Sequence, residues 1–209
     1  MALIELDGGT CFAIVRSCAL EGPNLLHNSD FEAVDDAGTA GVGVEGVLPP
    51  PWEALQVTPD TYTTDGGFGI DPSTFGNFDG VSAHSGVRWV AAWSLADERG
   101  GQPLAAPLIA GHRYLARSWL HQAVRSDLNF PGTYVLMLAE PAQLNAIDVG
   151  NWCPTTSVDA GWVERSFTFV APDAGSLTWL NFRPEGASGT YPYPGVDDFT
   201  LHDVTACPP

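Results

Sequence analysis

A chain of 209 residues that is 44% hydrophobic can bury one β-sandwich core, alone or with an arm, without needing a second domain. Its 25 acidic against 8 basic side chains give a formal net charge of -17, and such a surface repels phosphate backbones and anionic lipid, which argues against nucleic acid and membrane surfaces as partners. No stretch approaches the ~18 uninterrupted apolar residues of a membrane span, so no membrane insertion is expected.

In chain order, residues 1–23 read as an N-terminal arm or anchoring segment. Glu5 and Asp7 precede Gly8 and Gly9 where a secretory signal would carry a basic start and a long apolar centre. Such an arm is expected to dock on its own domain or on other protein chains. Residues 24–209 read as one all-β domain, a two-sheet antiparallel β-sandwich of the jelly-roll kind. Gly (23) and Pro (17) punctuate short runs rich in Val, Thr, Trp, Phe and Tyr, and no long segment keeps a 3.6-residue amphipathic period. The pattern predicts strands near 11–16, 24–33, 86–95, 112–123, 133–140, 161–171, 176–183 and 195–204. The Gly-, Pro- and Asp-rich stretch from 35 to 84 predicts loops with a short strand or two.

Side-chain parity within these strands carries the functional signal, because successive residues of a strand face opposite sides of the sheet. In 112–122, Tyr114, Ala116, Ser118 and Leu120 form a core-like face, while Arg113, Leu115, Arg117, Trp119 and His121 form the other. In 177–183 the same split leaves Trp179, Asn181 and Arg183 together, and in 162–169 it leaves Trp162 with Glu164. A sugar ring offers a C–H patch on one face and hydroxyls around its rim, so a receptor needs flat aromatic surface beside fixed donors and acceptors. The mixed aromatic and polar faces collect Arg117, Trp119, His121, Trp179, Asn181 and Arg183, with Glu164 at the side. Trp152 in NWCP and Tyr191 and Tyr193 in TYPYPG are aromatics of loops, where prolines would hold them out.

Four cysteines, Cys11, Cys18, Cys153 and Cys207, contain no C-x-x-C pair, which leaves zinc ribbons and redox motifs unsupported. Pairing Cys11 with Cys18 and Cys153 with Cys207 is one of three possibilities, and any bridge implies an oxidising setting. The histidines at 27, 84, 112, 121 and 202 lack metal-ligand spacing. No G-x-S-x-G, H-E-x-x-H, G-x-G-x-x-G or P-loop is present, and no catalytic residue is assigned.

Taken in order, NLLHNSDFEA (24–33), PPPWEAL (49–55), HSGVRWVAAW (84–93), AGHRYLARSWLH (110–121), GWVERSFTFVAPDAGSLTWLNFRP (161–184) and GVDDFTLHDV (195–204) resemble carbohydrate-binding modules of the xylan- and β-glucan-binding type. These belong to the galactose-binding-like jelly-roll superfamily. The resemblance covers residues 24 to about 204. Its most specific pieces are N-x-x-F-E, A-G-x-x-Y, the Trp followed by F-x-A-P, and the closing D-D-F-x-L. It implies a polysaccharide or cell-surface glycan as partner, an extracellular location, and a structural Ca2+ held by Glu32 and Asp197, with Asp198, Asp30, Asn28 and backbone carbonyls as additions. Members of that family use either a groove across the concave sheet or the loops at one edge, so the resemblance implies two candidate sets: a concave one of Arg117, Trp119, His121, Trp179, Asn181 and Arg183 with Glu164, and a loop one of Trp152, Tyr191 and Tyr193. Residues 1–23 have no counterpart in that family, and the long acidic insert 35–84 is placed to cover a groove.

The expected function is non-catalytic, calcium-stabilised glycan binding. One alternative is an adhesive component of a virion or virus-like particle, anchored by the arm. A second is a jelly-roll glycan hydrolase or lyase, since among 25 acids a carboxylate pair at hydrolytic spacing arises by chance.

Overall fold

The computed structural model describes residues 21–34, 46–140, 146–154, 161–173 and 177–207. The predicted strand 11–16, the arm's first twenty residues, Cys11 and Cys18 lie outside these. Ten strands are present among the described residues: β1 (Glu53–Gln56), β2 (Asp60–Thr63), β3 (Arg88–Ala91), β4 (Arg99–Pro103), β5 (Arg113–Gln122), β6 (Gly132–Ala139), β7 (Ile147–Asn151), β8 (Val163–Val170), β9 (Trp179–Gly186) and β10 (Pro194–Asp203). They form two five-stranded sheets, one ordered β1-β4-β9-β6-β7 and the other β2-β3-β10-β5-β8, with every pairing antiparallel. The all-β sandwich read from the sequence is the observed architecture.

The core between the sheets takes the apolar parity of each strand, including Tyr114, Ala116 and Leu120 of β5, Leu180 and Phe182 of β9, and Val196, Phe199 and Leu201 of β10. Trp52 is its hub, stacked on Phe199 at 5.7 Å and within 5.2 Å of Phe31. Burying aromatics of this size gives roughly 2–3 kcal/mol each, which is why the sheets close over them.

The predicted strand 24–33 is not one. Asn24 makes a single bridge to His202, and Leu25 bonds Leu201 on one side and Ala105 on the other. The chain then turns through positive φ at Asn28 (45°) and Phe31 (60°), which drops the Phe31 ring into the core. Positive φ suits Asn but is uncommon for Phe, so burial of the ring is what holds that backbone. β1 and β2 are the short strands expected within 35–84. β4 and β7 were not predicted from the sequence.

A second apolar cluster lies on the far face of the second sheet. Val90 points into the main core, so its neighbours Trp89 and Ala91 point outward. There Trp89 stacks on Tyr62 at 5.4 Å and meets Phe78 at 5.9 Å, with Ile70, Leu128 and Tyr193 closing the cluster. The 64–84 part of the insert thus roofs the β2–β3 half of this face.

Candidate functional site

The described residues leave the other half of the same face open. Cross-strand register sets Trp119 of β5 opposite Glu164 of β8 and Asp197 of β10, and Arg117 opposite Ser166 and Thr200. Paired residues share a face, so an indole, a guanidinium, a carboxylate and hydroxyls are gathered on one surface. They line a cleft of about 340 Å³ whose walls are Arg117, Ser118, Trp119, Glu164, Asp198, Thr200 and His202. Arg117 is held by Glu21 through two contacts, 2.7 and 3.2 Å. The His84 ring stacks flat on Trp119 at 3.8 Å and fixes the indole plane.

A bulge in β10 shapes this cleft. The register with β5 slips between Asp197 and Thr200, with Asp198 at φ 48°. Two consecutive acids are thereby turned toward one loop. Asp197 is fully buried, and its carboxylate accepts the backbone N–H of His84 (2.9 Å), Ser85 (3.1 Å) and Asp198 (2.7 Å). Burial pushes its carboxyl up to about 8, and the nearby Asp198 charge acts in the same direction, against the downward pull of those three amides. Asp198 accepts the Ser85 hydroxyl at 2.7 Å and pairs with His84 Nδ1.

The same loop is gripped from its other side. Glu32 Oε1 accepts the backbone N–H of Val87 (2.8 Å) and Arg88 (2.7 Å), and Oε2 meets the Arg88 guanidinium at 3.1 Å. Arg88, itself buried, also reaches Asp65 at 2.9 Å and the Phe68 carbonyl at 3.1 Å. Gly86, at φ 59°, lies directly under Glu32, where a Cβ would come within 2.4 Å of Oε1. Any larger residue would displace the carboxylate.

These residues do not fit the calcium ion expected of them. Calcium takes six to eight oxygen ligands that face it. Here every carboxylate oxygen of Glu32, Asp197 and Asp198 already receives a hydrogen bond from the protein. Asn28 spends its amide on Ala33 and on the Pro50 carbonyl, and Asp30 accepts the N–H of Glu32. Among the described residues, no three His, Cys, Asp or Glu side chains cluster in a way that would hold a metal. Of these acids, Glu32 pairs with the guanidinium of Arg88 and Asp198 with the His84 ring.

The concave set inferred from parity divides between the sheets. Arg117, Trp119 and Glu164 share the cleft, whereas Trp179, Asn181 and Arg183 belong to β9 in the other sheet, facing the opposite way. Trp179 is only 9% exposed and Asn181 1%, and Arg183 is engaged with Asp148 and Glu185. His121 shares the parity of Trp119 but lies under the roof, 5.2 Å from Trp162, bonded to the Gln122 carbonyl, and burial lowers its pKa. The loop set changes more. Trp152 is a core pillar against Phe199 at 4.9 Å, with its N–H on the Ala116 carbonyl, and Tyr193 is buried with its hydroxyl on Asp60. Of that set only Tyr191 is exposed, at 47%. Thr200 and His202 were not singled out as binding residues, because the bulge shifts the parity from which they would be read. Cys153 and Cys207 are both disulfide-bonded, which fits the oxidising setting expected of any bridge.

No protein-family model matches this chain, and no curated protein matches it in sequence. Solved structures do match in shape. A xylan-binding domain from Paenibacillus barcinonensis is 13% identical, with 91% of this chain and all 100% of that one covered, at a TM-score of 0.51. A cyclase from Fischerella sp. in its apo form is 13% identical over 86% of this chain and 95% of its own, at a TM-score of 0.52. At such identity the likeness is one of fold, and the sandwich expected from the sequence resemblance is the one shared with the xylan-binding domain.

Proposed function

We propose that this chain is a non-catalytic glycan-binding module that works outside the cell, with its ligand seated in the Trp119 cleft. The observation that carries this reading is the cleft's composition: a half-buried indole with its plane fixed, ringed by a carboxylate, hydroxyl and imidazole groups. Such a surface meets the C–H patch and the hydroxyl rim of a pyranose together. That one structure of the same fold is a xylan-binding domain supports a polysaccharide as the ligand class. Disulfide-bonded Cys153 and Cys207 support an oxidising location.

The test is a glycan array followed by titration of the best hit with Trp119→Ala and Trp119→Phe. Losing the stacking contact removes about 1.5 kcal/mol, roughly tenfold in affinity, while Phe keeps a flat ring and most of the binding. A glycan bound equally well by Trp119→Ala places the site elsewhere. Silence of the wild type across the array defeats the reading.

A further inference from the structure

The hydrogen-bond polarity of the cleft says which sugars it takes; the inference rests on the glycan reading and narrows it. The geometry points to a cleft built for uncharged sugars that act as hydrogen-bond donors, and closed to uronic acids and sulfated sugars. Arg117 is the one guanidinium in the cleft lining and the natural partner for an anionic ligand. It is already neutralised by the two contacts to Glu21, whose side chain is 14% exposed against 16% for Arg117. An anionic sugar would have to break this pair to reach it.

Apart from the Trp119 indole N–H and two hydroxyls, the remaining polar groups are acceptors, two of them carboxylates. Glu164 faces the cleft from β8, across from Trp119, and makes no side-chain hydrogen bond or ion pair with any described residue. Its two carboxylate oxygens, without a partner among the described residues, are the acceptors offered to ligand hydroxyls. Asp198 adds a second negative charge at the wall. His202 donates from Nδ1 to the Gly22 carbonyl at 2.9 Å, which leaves Nε2 as the ring's second polar atom. The Thr200 and Ser118 hydroxyls are able either to donate or to accept. A sugar rim of hydroxyls satisfies these groups, whereas a carboxylate or sulfate brings acceptors to acceptors and like charge to like charge in a half-enclosed space. The formal net charge of -17 disfavours an acidic polymer before it arrives.

The experiment is titration of the intact chain with xylohexaose and a β-1,4-galactose hexamer as neutral probes and a galacturonic acid hexamer as the acidic one, in low and in physiological salt. The expected result is measurable binding of at least one neutral hexamer and affinity for the acidic hexamer at least about tenfold weaker, with the gap widening at low salt. Glu164→Gln keeps the shape, removes the charge and supplies an amide donor, so it should narrow the gap while its melting temperature stays at the wild-type value. The acidic hexamer binding as well as the neutral ones, or an unchanged gap in Glu164→Gln, overturns the selectivity and leaves glycan binding standing. Absence of binding by all three hexamers, with array silence, overturns the glycan reading itself.

Discussion

The two halves of one sheet face have the same backbone and opposite fates. Over β2 and β3, Tyr62, Phe78, Trp89 and Tyr193 are sealed by the insert into a second core. Over β5, β8 and the C-terminal part of β10, an aromatic of the same kind, Trp119, is left in an open cleft. The seam is continuous: Trp119 stacks on His84, His84 lies 6.5 Å from Trp162, and Trp162 lies 6.2 Å from Trp89. What separates packing from recognition is therefore the roof, and residue type alone does not distinguish the two.

Breaking the sealed half should have the largest effect. Trp89→Ala, at a fully buried position, is expected to cost about 3–5 kcal/mol and to lower the melting temperature by roughly 10 °C, in contrast to the small stability change expected of Trp119→Ala. Equal melting temperatures for the two variants would erase the distinction.

The junction between the halves is held by Arg88, and its removal tests what kind of latch this is. Arg88→Met leaves Glu32 and Asp65 facing each other without a cation, at a cost of about 2–3 kcal/mol, below that of a fully buried pair because Glu32 keeps a quarter of its side chain exposed. With the guanidinium in place, millimolar calcium and chelator should leave the wild-type melting curve unchanged. A clear rise in calcium would restore the metal to this site.

The smallest effect is a proton's. His121 sits at the edge of the roof, where burial holds its ring below the ordinary 6.5. The unfolded chain then takes up a proton that the fold refuses, so this contribution to stability is intact above about pH 6.5 and is lost as the pH falls below it. At pH 5.5 part of this contribution is gone, visible as the difference between wild type and His121→Asn in denaturant midpoints at pH 7.5 and 5.5. Parallel curves for the two proteins would show that His121 is solvated rather than sealed.

Much of this was legible in the sequence, and the failures have physical causes. Strands β5 and β8 announce themselves by alternation and β6 by a continuous apolar run, and parity alone brought Arg117, Trp119 and Glu164 to one surface. Parity tells which side of a strand a residue takes but not which sheet the strand joins, so Trp179, Asn181 and Arg183 were grouped with partners that face the other way. β4, RGGQP, has no apolar alternation because its glycines lie under neighbouring side chains, where a Cβ at Gly100 would come within 2.5 Å of Phe182. NLLHNSDFEA reads as a strand by composition and becomes a turn because the Phe31 ring is worth more in the core than on an edge. Spacing could not reveal either that the two acids of D-D-F-x-L meet backbone amides, the Ser85 hydroxyl and the His84 ring.

The loop from His84 to Arg88 is fastened by Glu32, 55 residues earlier for the Val87 bond, and by Asp197, 113 residues later for the His84 bond. A nascent chain cannot complete that fastening until β10 has left the ribosome. The roofed face and the cleft thus mature together, only after residue 197 has been made, and a product shortened before it would lose both at once.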